Sequence, residues 1–330
     1  MKLLVTGGLG FIGSNFIKKL LNENSDYEIT NVDAEFLGSN KKNLEGIENN
    51  KKYQYVKGNI TNKKLMEELI SHSDVVVNFA AESFVDRSIS DPNSFLVSNF
   101  RGTFTILDIV TKQKKRMIQI STDEVFGSLE HDTANEKSRF NPSSPYAATK
   151  AAAELLINSY FVTFGTDVIT TRCTNNYGPR QFPEKLIPKT IILANQNKQI
   201  PIYGKGKNIR DWIYVDDHCD AVKMALFDGK AGESYNISAN NEVDNLTIVK
   251  KILRIMDKPD SLIEFVEDRP GHDYRYSMSS EKITHELHWK VKTSFDEGLK
   301  KTVEWYLNNP EVLNDISQSV LNPTPWKNSN

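Results

Sequence analysis

The run Gly7-Gly8-Leu9-Gly10-Phe11-Ile12-Gly13 follows the short apolar stretch Lys2–Thr6 and precedes Ser14–Leu21, whose apolar residues recur at helical spacing. Strand, glycine turn, helix is the order that brings a backbone against a pyrophosphate, which then rests on the free N–H groups of the helix N-terminus. The glycines satisfy both G-x-x-G-x-x-G (Gly7, Gly10, Gly13) and G-x-G-x-x-G (Gly8, Gly10, Gly13). Alone, such a motif is weak evidence. Here the next apolar stretch, Glu28–Val32, ends in Asp33, 20 positions after Gly13. A carboxylate there accepts both ribose hydroxyls and repels a 2′-phosphate, and no arginine follows it, which favours NAD over NADP.

The alternation continues through the first half. Lys52–Val56 reads as a third strand, followed by Lys57-Gly58-Asn59-Ile60, where Asn59 is either a turn residue or a partner for adenine. Thr61 to Lys64 opens a helix, and Asp74–Phe79 is a near-continuous apolar run of the kind buried on both faces of a parallel sheet. It exits through Ala80-Ala81-Glu82-Ser83, small enough at first to let a nicotinamide ribose approach the backbone. Asp91-Pro92 opens one helix running to Val110, which leads into the strand Met117–Ile120. Strands alternating with helices predict an α/β fold built on a Rossmann-type doubly wound parallel sheet.

Beyond Tyr160 the order is mixed. Strands are expected at Val168–Thr171, Ile200–Tyr203, Arg210–Val215 and Glu233–Ile237. Helices are expected after Phe182, from a cap at Asp216 or Asp217 to Phe227, over Asn245–Met256 and over Phe295–Leu307. The expected organisation is an NAD-binding domain over residues 1–175 that also receives segments near 207–238. Residues 176–330 then form mainly a smaller, discontinuous mixed α/β lobe for the substrate. The Asn/Ser/Pro-rich end after Pro310 is expected to be loosely held.

Composition narrows the function classes. With 41 basic and 43 acidic residues the formal charge is -2, so no global field recruits nucleic acid or an anionic membrane, and neither is expected as a partner. No apolar run approaches the roughly 18 residues of a membrane span. Met1 to Val5 enters the first strand with no charged-then-apolar leader, so a cytoplasmic protein is expected. Cys173 and Cys219 fit no metal-ligand spacing and form no disulfide framework.

The chemistry concentrates in two places. Ser121-Thr122-Asp123-Glu124 stands where the buried strand Met117–Ile120 ends, and in an open parallel sheet ligands bind outside those carboxyl ends. Thr122, Asp123 and Glu124 are thereby placed toward a crevice. Tyr146 and Lys150 form a Y-x-x-x-K pair, a spacing that also occurs at Tyr53/Lys57 in a predicted strand and at Tyr203/Lys207 in a glycine-rich turn. Only Tyr146 and Lys150 lie on a convincing helix, with Ser143 or Ser144 as cap, Pro145 in the first turn and the helix-forming run Ala147–Ile157 behind it. Four residues apart on a helix they share a face, where an ammonium lowers a phenol's pKa from about 10 and prepares it to take an alcohol proton. In the second half Lys185, Arg210 and Arg269-Pro270-Gly271-His272-Asp273 are either surface charges or the grip on a nucleoside diphosphate, since guanidinium matches phosphate as a bidentate fork.

Thr6 to Gly13, Ala80-Ala81-Glu82-Ser83, Ser121 to Val125, Tyr146/Lys150, Arg172-Cys173-Thr174-Asn175-Asn176-Tyr177-Gly178-Pro179, Arg210-Asp211-Trp212 and Asp268 to Asp273 together resemble the extended short-chain dehydrogenase/reductase family. Within it they resemble the dTDP-glucose 4,6-dehydratases, over nearly the whole chain. The glycine and Y-x-x-x-K motifs mark the superfamily, whereas the Thr-Asp-Glu triplet is specific to the dehydratase branch. The resemblance implies NAD held by Gly7, Gly10, Phe11, Ile12, Gly13, Asp33, Asn59, Ile60, Phe79, Ala80, Ala81, Ser98, Tyr146, Lys150 and Asn176. It implies a nucleotide sugar held by Ser83, Thr122, Asn175, Lys185, Leu186, Pro201, Tyr203, Arg210, Asn245, Arg269 and His272. It also implies a homodimer formed through the helices around Pro92–Val110 and Tyr146–Phe164. Three positions depart from the family pattern: Phe84 where most relatives place histidine, Asn59 where many have aspartate, and Phe126 where tyrosine is usual.

The reaction implied is conversion of dTDP-glucose to dTDP-4-dehydro-6-deoxyglucose. Tyr146 takes the 4-hydroxyl proton while a hydride leaves carbon 4 for NAD, and the ketone so formed acidifies carbon 5. Glu124 removes that proton, Asp123 protonates the departing 6-hydroxyl, and the hydride returns to carbon 6. Two carboxyls must therefore hold different protonation states at one pH. UDP-glucose is the alternative substrate. A 4-epimerase or decarboxylase expels no 6-hydroxyl and would leave Asp123 with none to protonate as it departs, and a non-catalytic NAD sensor would have no need of Tyr146 and Lys150.

Overall fold

The computed structural model describes residues 1–23, 26–314, 320–322 and 324–327. Six apolar stretches of the first half form β1 Lys2–Thr6, β2 Glu28–Asp33, β3 Tyr53–Lys57, β4 Val75–Asn78, β5 Arg116–Thr122 and β6 Val168–Cys173. Shorter strands follow: β7 Asn175–Tyr177, β8 Ile200–Tyr203, β9 Ile209–Tyr214, β10 Ser234–Ile237, β11 Glu242–Asp244 and β12 Ile263–Val266. The main sheet runs β10-β6-β5-β4-β1-β2-β3, every pair parallel. Strand order reverses beside β1, which pairs with β2 on one side and β4 on the other, so the chain splits open above their carboxyl ends.

Period-two alternation in β1 sends Leu3 and Val5 to one face and Leu4 to the other. The first face packs on Phe16, Ile17 and Leu20 of α1 (Phe11–Asn22) and on Val222 and Ala225. The second packs on Met66 and Ile70 of α2 (Lys63–Ser71). The short helices α3 (Val85–Ser90) and α4 (Pro92–Phe95) instead bury Val85 and Phe95 against Tyr146, while α5 (Thr103–Gln113) supplies Ile106, Leu107 and Val110 to the second face and α6 (Pro145–Phe164) supplies Ile157. Ser144 caps α6 by accepting from Ala147 N. Outside the main sheet, β9 lies between β11 and β7, and β8 pairs in parallel with β12. Among the described residues no helix is long and apolar enough to cross a membrane.

The structure differs from the sequence reading at four points. The single helix expected from Asp91 to Val110 is interrupted by a π-helical turn over Leu96–Gly102. Asn99 pins this wider turn: it accepts from Glu82 N (2.8 Å) and donates to Glu82 O (3.0 Å) and Thr149 Oγ1 (3.1 Å). The helix expected to be capped by Asp216 or Asp217 begins earlier, as Val215–Asp228, with Tyr214 at its cap and both aspartates in the first turn, where the helix dipole favours them. Asp217 accepts instead from Lys292 N (3.1 Å) and Thr293 N (3.0 Å). The short strands β7, β11 and β12 carried too little alternation to be foreseen; β12 leaves Glu264 and Phe265 exposed. The described part of the C-terminal end is packed rather than loose: Pro310–Asn314 is helical, and buried Trp326 sets its ring against Tyr203 at 5.0 Å. Residues 315–319, 323 and 328–330 of that end lie outside the described residues.

Candidate active site

The glycine turn is built backbone against backbone. Gly7 has a left-handed φ of +69°, and a Cβ there would lie 2.6 Å from Ala80 N at the exit of β4. A Cβ at Gly13 would lie 2.5 Å from Gly7 O, so side chains at either position would fill the cradle. No side chain caps α1 at Gly10, which leaves its first N–H groups for an anion. At the end of β2, Asp33 accepts from Leu9 N (3.0 Å) through Oδ2, and from Glu35 N and Ser39 Oγ (both 2.8 Å) through Oδ1. Nearby Lys41 and Lys57 pair with Glu35 at 2.8 Å and hold its carboxyl down to about 2, so neither cation is left facing a 2′-phosphate. Asn59 Oδ1 accepts from Thr61 N and Oγ1 (both 2.9 Å), which leaves the amide N–H as the group it can offer an adenine. The chamber beside this turn is lined by every residue expected to hold the dinucleotide, including Phe11, Ile12, Ile60, Phe79, Ala81, Ser98 and Asn176. Together they fit a dinucleotide.

The triplet closes β5. Thr122 Oγ1 caps the 3₁₀ turn Asp123–Phe126 by accepting from Glu124 N (3.3 Å) and donates to Asp123 Oδ1 (3.1 Å). Asp123 Oδ2 is buried without a partner, and burial together with the Glu124 charge pushes this carboxyl well above the ordinary range. Glu124, partly open to the cavity, is raised too by burial, but Arg269, Lys185 and Arg210 pull it back. Both carboxyls are raised, but they differ: Asp123 lies well above its ordinary range, while the cations around Glu124 favour its charged form.

Tyr146 and Lys150 are buried side by side on α6. Lys150 Nζ donates to Ile120 O at 2.6 Å, and burial lowers its pKa to about 8, against the pull of Glu154. The phenol of Tyr146 is not brought down by the protein's own groups. Burial first, then the Glu124 charge, raises it well above its ordinary value. This corrects the expectation that the neighbouring ammonium suffices, because a cation that is itself desolvated and bonded to a carbonyl cannot offset the burial of the phenolate.

A second chamber shares Phe84, Glu124, Asn175, Asn176, Gln181 and Lys185 with the first, and its further lining includes Leu186, Pro201, Tyr203, Arg210, Asn245, Arg269 and His272. Ser83 and Thr122 line the first chamber near the junction. The cations are not surface charges. Arg210 is buried, donates to Asp273 O (2.9 Å) and lies 4.1 Å from the centre of the Tyr276 ring. Arg269 Nη1 donates to Asp86 Oδ1 (2.8 Å), while its buried Nε has no partner. Lys185 Nζ donates to Ser83 O (2.7 Å) and sits 5.0 Å from the centre of the Phe84 ring, so Phe84 forms one wall with Phe182. His272 pairs with Asp268 (2.6 Å), yet burial and then the two arginines lower its pKa to about 4, and at neutral pH it is uncharged.

Sequence reasoning missed most of the residues that brace these groups. Tyr276 stands beside Glu124 and Arg210 together with Asp273, which the sequence offers for a phosphate grip rather than as a brace; Asp86 holds both Arg269 and Tyr203 Oη, and Glu154 holds Arg172 and Ser121. Tyr276 was within reach, three positions beyond the stretch Arg269–Asp273, but nothing in its spacing announces a role. Asp86 and Glu154 carry no local signal, since their partners are distant in the chain.

Residues 4–302 match the family model described as GDP-mannose 4,6 dehydratase. The chain is 45% identical over 312 residues to the low-salt glycan biosynthesis protein Agl12 of Haloferax volcanii, covering 94% of this chain and 100% of that one. It is 43% identical over 313 residues to the dTDP-glucose 4,6-dehydratase of Mycobacterium tuberculosis, covering 94% of each chain. Among solved structures it is similar to DesIV, a dTDP-glucose 4,6-dehydratase from Streptomyces venezuelae with NAD bound, at a TM-score of 0.94 and 39% identity, covering 96% of this chain and 100% of that one.

Proposed function

The chain belongs to the GDP-mannose 4,6-dehydratase family, and from that premise we infer that it is a hydro-lyase that converts dTDP-glucose to dTDP-4-dehydro-6-deoxyglucose with bound NAD. The observation that carries this reading is the pair Asp123 and Glu124, two adjacent carboxyls with different proton affinities, set beside Tyr146 where a dinucleotide chamber meets a cation-lined one. NAD in the first chamber supplies the acceptor for hydride from carbon 4, the positive charge that favours the Tyr146 phenolate, and the donor that returns hydride to carbon 6.

The chain's own residues handle the protons. Tyr146, held beside Lys150, takes the proton of the 4-hydroxyl. Glu124 takes the carbon 5 proton once the 4-ketone has made it acidic, and Asp123, which enters protonated, gives its proton to the departing 6-hydroxyl as water. Glu124 then returns a proton to carbon 5. Arg210, Arg269 and Lys185 hold the diphosphate, and Phe84 and Phe182 wall the hexose.

The protein acts as a cytoplasmic homodimer. Leu96, Phe104, Leu155, Val162 and Phe164 are exposed apolar side chains on the 96–113 and α6 stretches, and Val162 is 74% exposed in the single chain. The NAD-binding domain spans residues 1–175 and also receives segments near 207–238, and 176–330 form mainly the smaller lobe, with residues of both, Ser83 and Thr122 as well as Arg210 and Arg269, on the nucleotide sugar.

The test is to incubate the purified protein, without added NAD, with dTDP-glucose and UDP-glucose in parallel and follow loss of one water by mass spectrometry. Dehydration of dTDP-glucose is expected. Comparable turnover of UDP-glucose would move the assignment to a dehydratase of broader base specificity, and no reaction with either, even after NAD is supplied, would overturn it.

A further inference from the structure

We propose that Tyr276, Asp273 and Ser143 form a proton path between Glu124 and solvent, a proposal that rests on Glu124 being the base at carbon 5. The Tyr276 hydroxyl lies 2.7 Å from Asp273 Oδ2 and 3.5 Å from Glu124 Oε2. Asp273 Oδ2 also accepts from Ser143 Oγ, and Ser143 is exposed although Tyr276 and Asp273 are buried. Arg210 fixes the middle of the path, its guanidinium against the Tyr276 ring and its Nη2 on Asp273 O.

A phenol has one proton to give. The shorter contact to Asp273 takes it, so the Tyr276 oxygen faces Glu124 with a lone pair. An ionised Glu124 gains nothing from that lone pair, whereas a protonated Glu124 donates to it. The contact therefore comes into use only after Glu124 has taken a proton from carbon 5, and hydrogen bonds of this kind shorten when a substrate fills the site. Of the charged groups around Glu124, Arg269, Lys185 and Arg210 favour its ionised form, while Asp273 on the far side of Tyr276 favours the protonated one.

The transfer balances along the chain. The Glu124 O–H bond breaks as its proton joins the Tyr276 oxygen, and the Tyr276 O–H bond breaks as that proton joins Asp273 Oδ2. Asp273 passes its proton to the Ser143 hydroxyl, whose own proton leaves to water. Tyr276 and Ser143 end neutral and Glu124 ends ionised. The same steps in reverse bring a solvent proton to Glu124 before it reprotonates carbon 5.

Turnover of unlabelled dTDP-glucose in D₂O reads this path directly. Product is sampled early and deuterium at carbon 5 is resolved from carbon 6 by proton NMR. Wild-type enzyme is expected to place solvent deuterium at carbon 5. Tyr276→Phe keeps the ring under Arg210 and removes the carrier, and Asp273→Asn keeps the shape and removes the acceptor. Each is expected to slow exchange by about 10²-fold, the scale for one positioned proton carrier, so that the product retains its original protium at carbon 5. Deuterium incorporation equal to wild type in either variant overturns the path. So does loss of all turnover in both, because direct return of the abstracted proton needs no relay. Failure of the wild type to dehydrate the substrate at all would instead refute the activity itself, a separate outcome.

Discussion

Glu154 joins helix α6 to the two strands that present the site, and its removal is the sharpest test of how that framework is held. Its Oε2 accepts from Arg172 Nε at 2.8 Å and lies 2.7 Å from Nη2, and its Oε1 accepts from Ser121 Oγ at 2.5 Å. Both side chains of the pair are about 95% buried, at 5% and 4% exposure, and the guanidinium lies against the rings of Phe126 and Phe140, 5.2 Å from each centre. Glu154→Ala leaves that cation with Asn236 Oδ1 at 3.3 Å as a remaining acceptor. Stripping one partner from a buried ion pair costs about 3–5 kcal/mol. Unfolding entropy of about 2.1 cal/mol/K per residue amounts to roughly 0.7 kcal/mol/K over 330 residues, so the melting midpoint should fall by about 4–7 °C. Differential scanning calorimetry measures it. Glu154→Leu combined with Arg172→Met, which leaves no charge buried, should recover most of the loss. A single-variant drop below about 2 °C, or a double variant no better than the single, would refute the reasoning.

Asp123→Asn and Glu124→Gln should each lower steady-state dehydration by about 10²–10⁴, the share of one general acid or base, while Tyr146→Phe should prevent any NADH absorbance from appearing when substrate is added; NADH formed by Tyr146→Phe would contradict its role. Lys150, with its pKa brought down from 10.5 to about 8, should make the first oxidation fall as pH rises through about 8, a limb that Lys150→Met should lack in stopped-flow traces. Because the folded chain releases that proton before the unfolded chain does, the Lys150 contribution to stability rises between about pH 8 and 10.5, and Lys150→Met should melt higher than wild type at neutral pH. His218, fully buried with Nε2 unpartnered and its pKa lowered from 6.5 to about 3, contributes stability that is intact above 6.5 and lost as pH falls toward 3. His218→Gln should flatten acid unfolding in that window by circular dichroism, and an unchanged acid limb would exclude this histidine.

The parts of this protein legible in its sequence are those whose physics is local. Gly7, Gly10 and Gly13 sit where a backbone must turn or touch another backbone, and Asp33 follows at the length of one helix and one strand. The apolar runs of β1, β2, β4 and β5 state their own burial, and Ser144-Pro145 announces the start of α6. Thr122, Asp123 and Glu124 were placed at the crevice by a rule about strand ends, and Tyr146 and Lys150 by helical spacing. The interruption at Leu96–Gly102 escaped because its cause, Asn99 bonding to Glu82 and Thr149, lies outside the helix.

What the sequence by itself determined was the glycine turn between β1 and α1, the alternation that makes a parallel sheet, and the residue types of the proposed catalytic pair. Only the tertiary structure decided their proton affinities and their braces. Asp86 meets Arg269 across 183 positions, Ser143 meets Asp273 across 130, and Tyr276 meets Glu124 across 152. Helical and strand periods are set within a few residues, but a pKa depends on which charges and how little water the packed chain leaves around a group. The same two adjacent carboxyls in an open chain would titrate almost alike; burial and the charges of Arg269, Lys185 and Arg210, brought in from distant parts of the chain, are what set Asp123 and Glu124 apart.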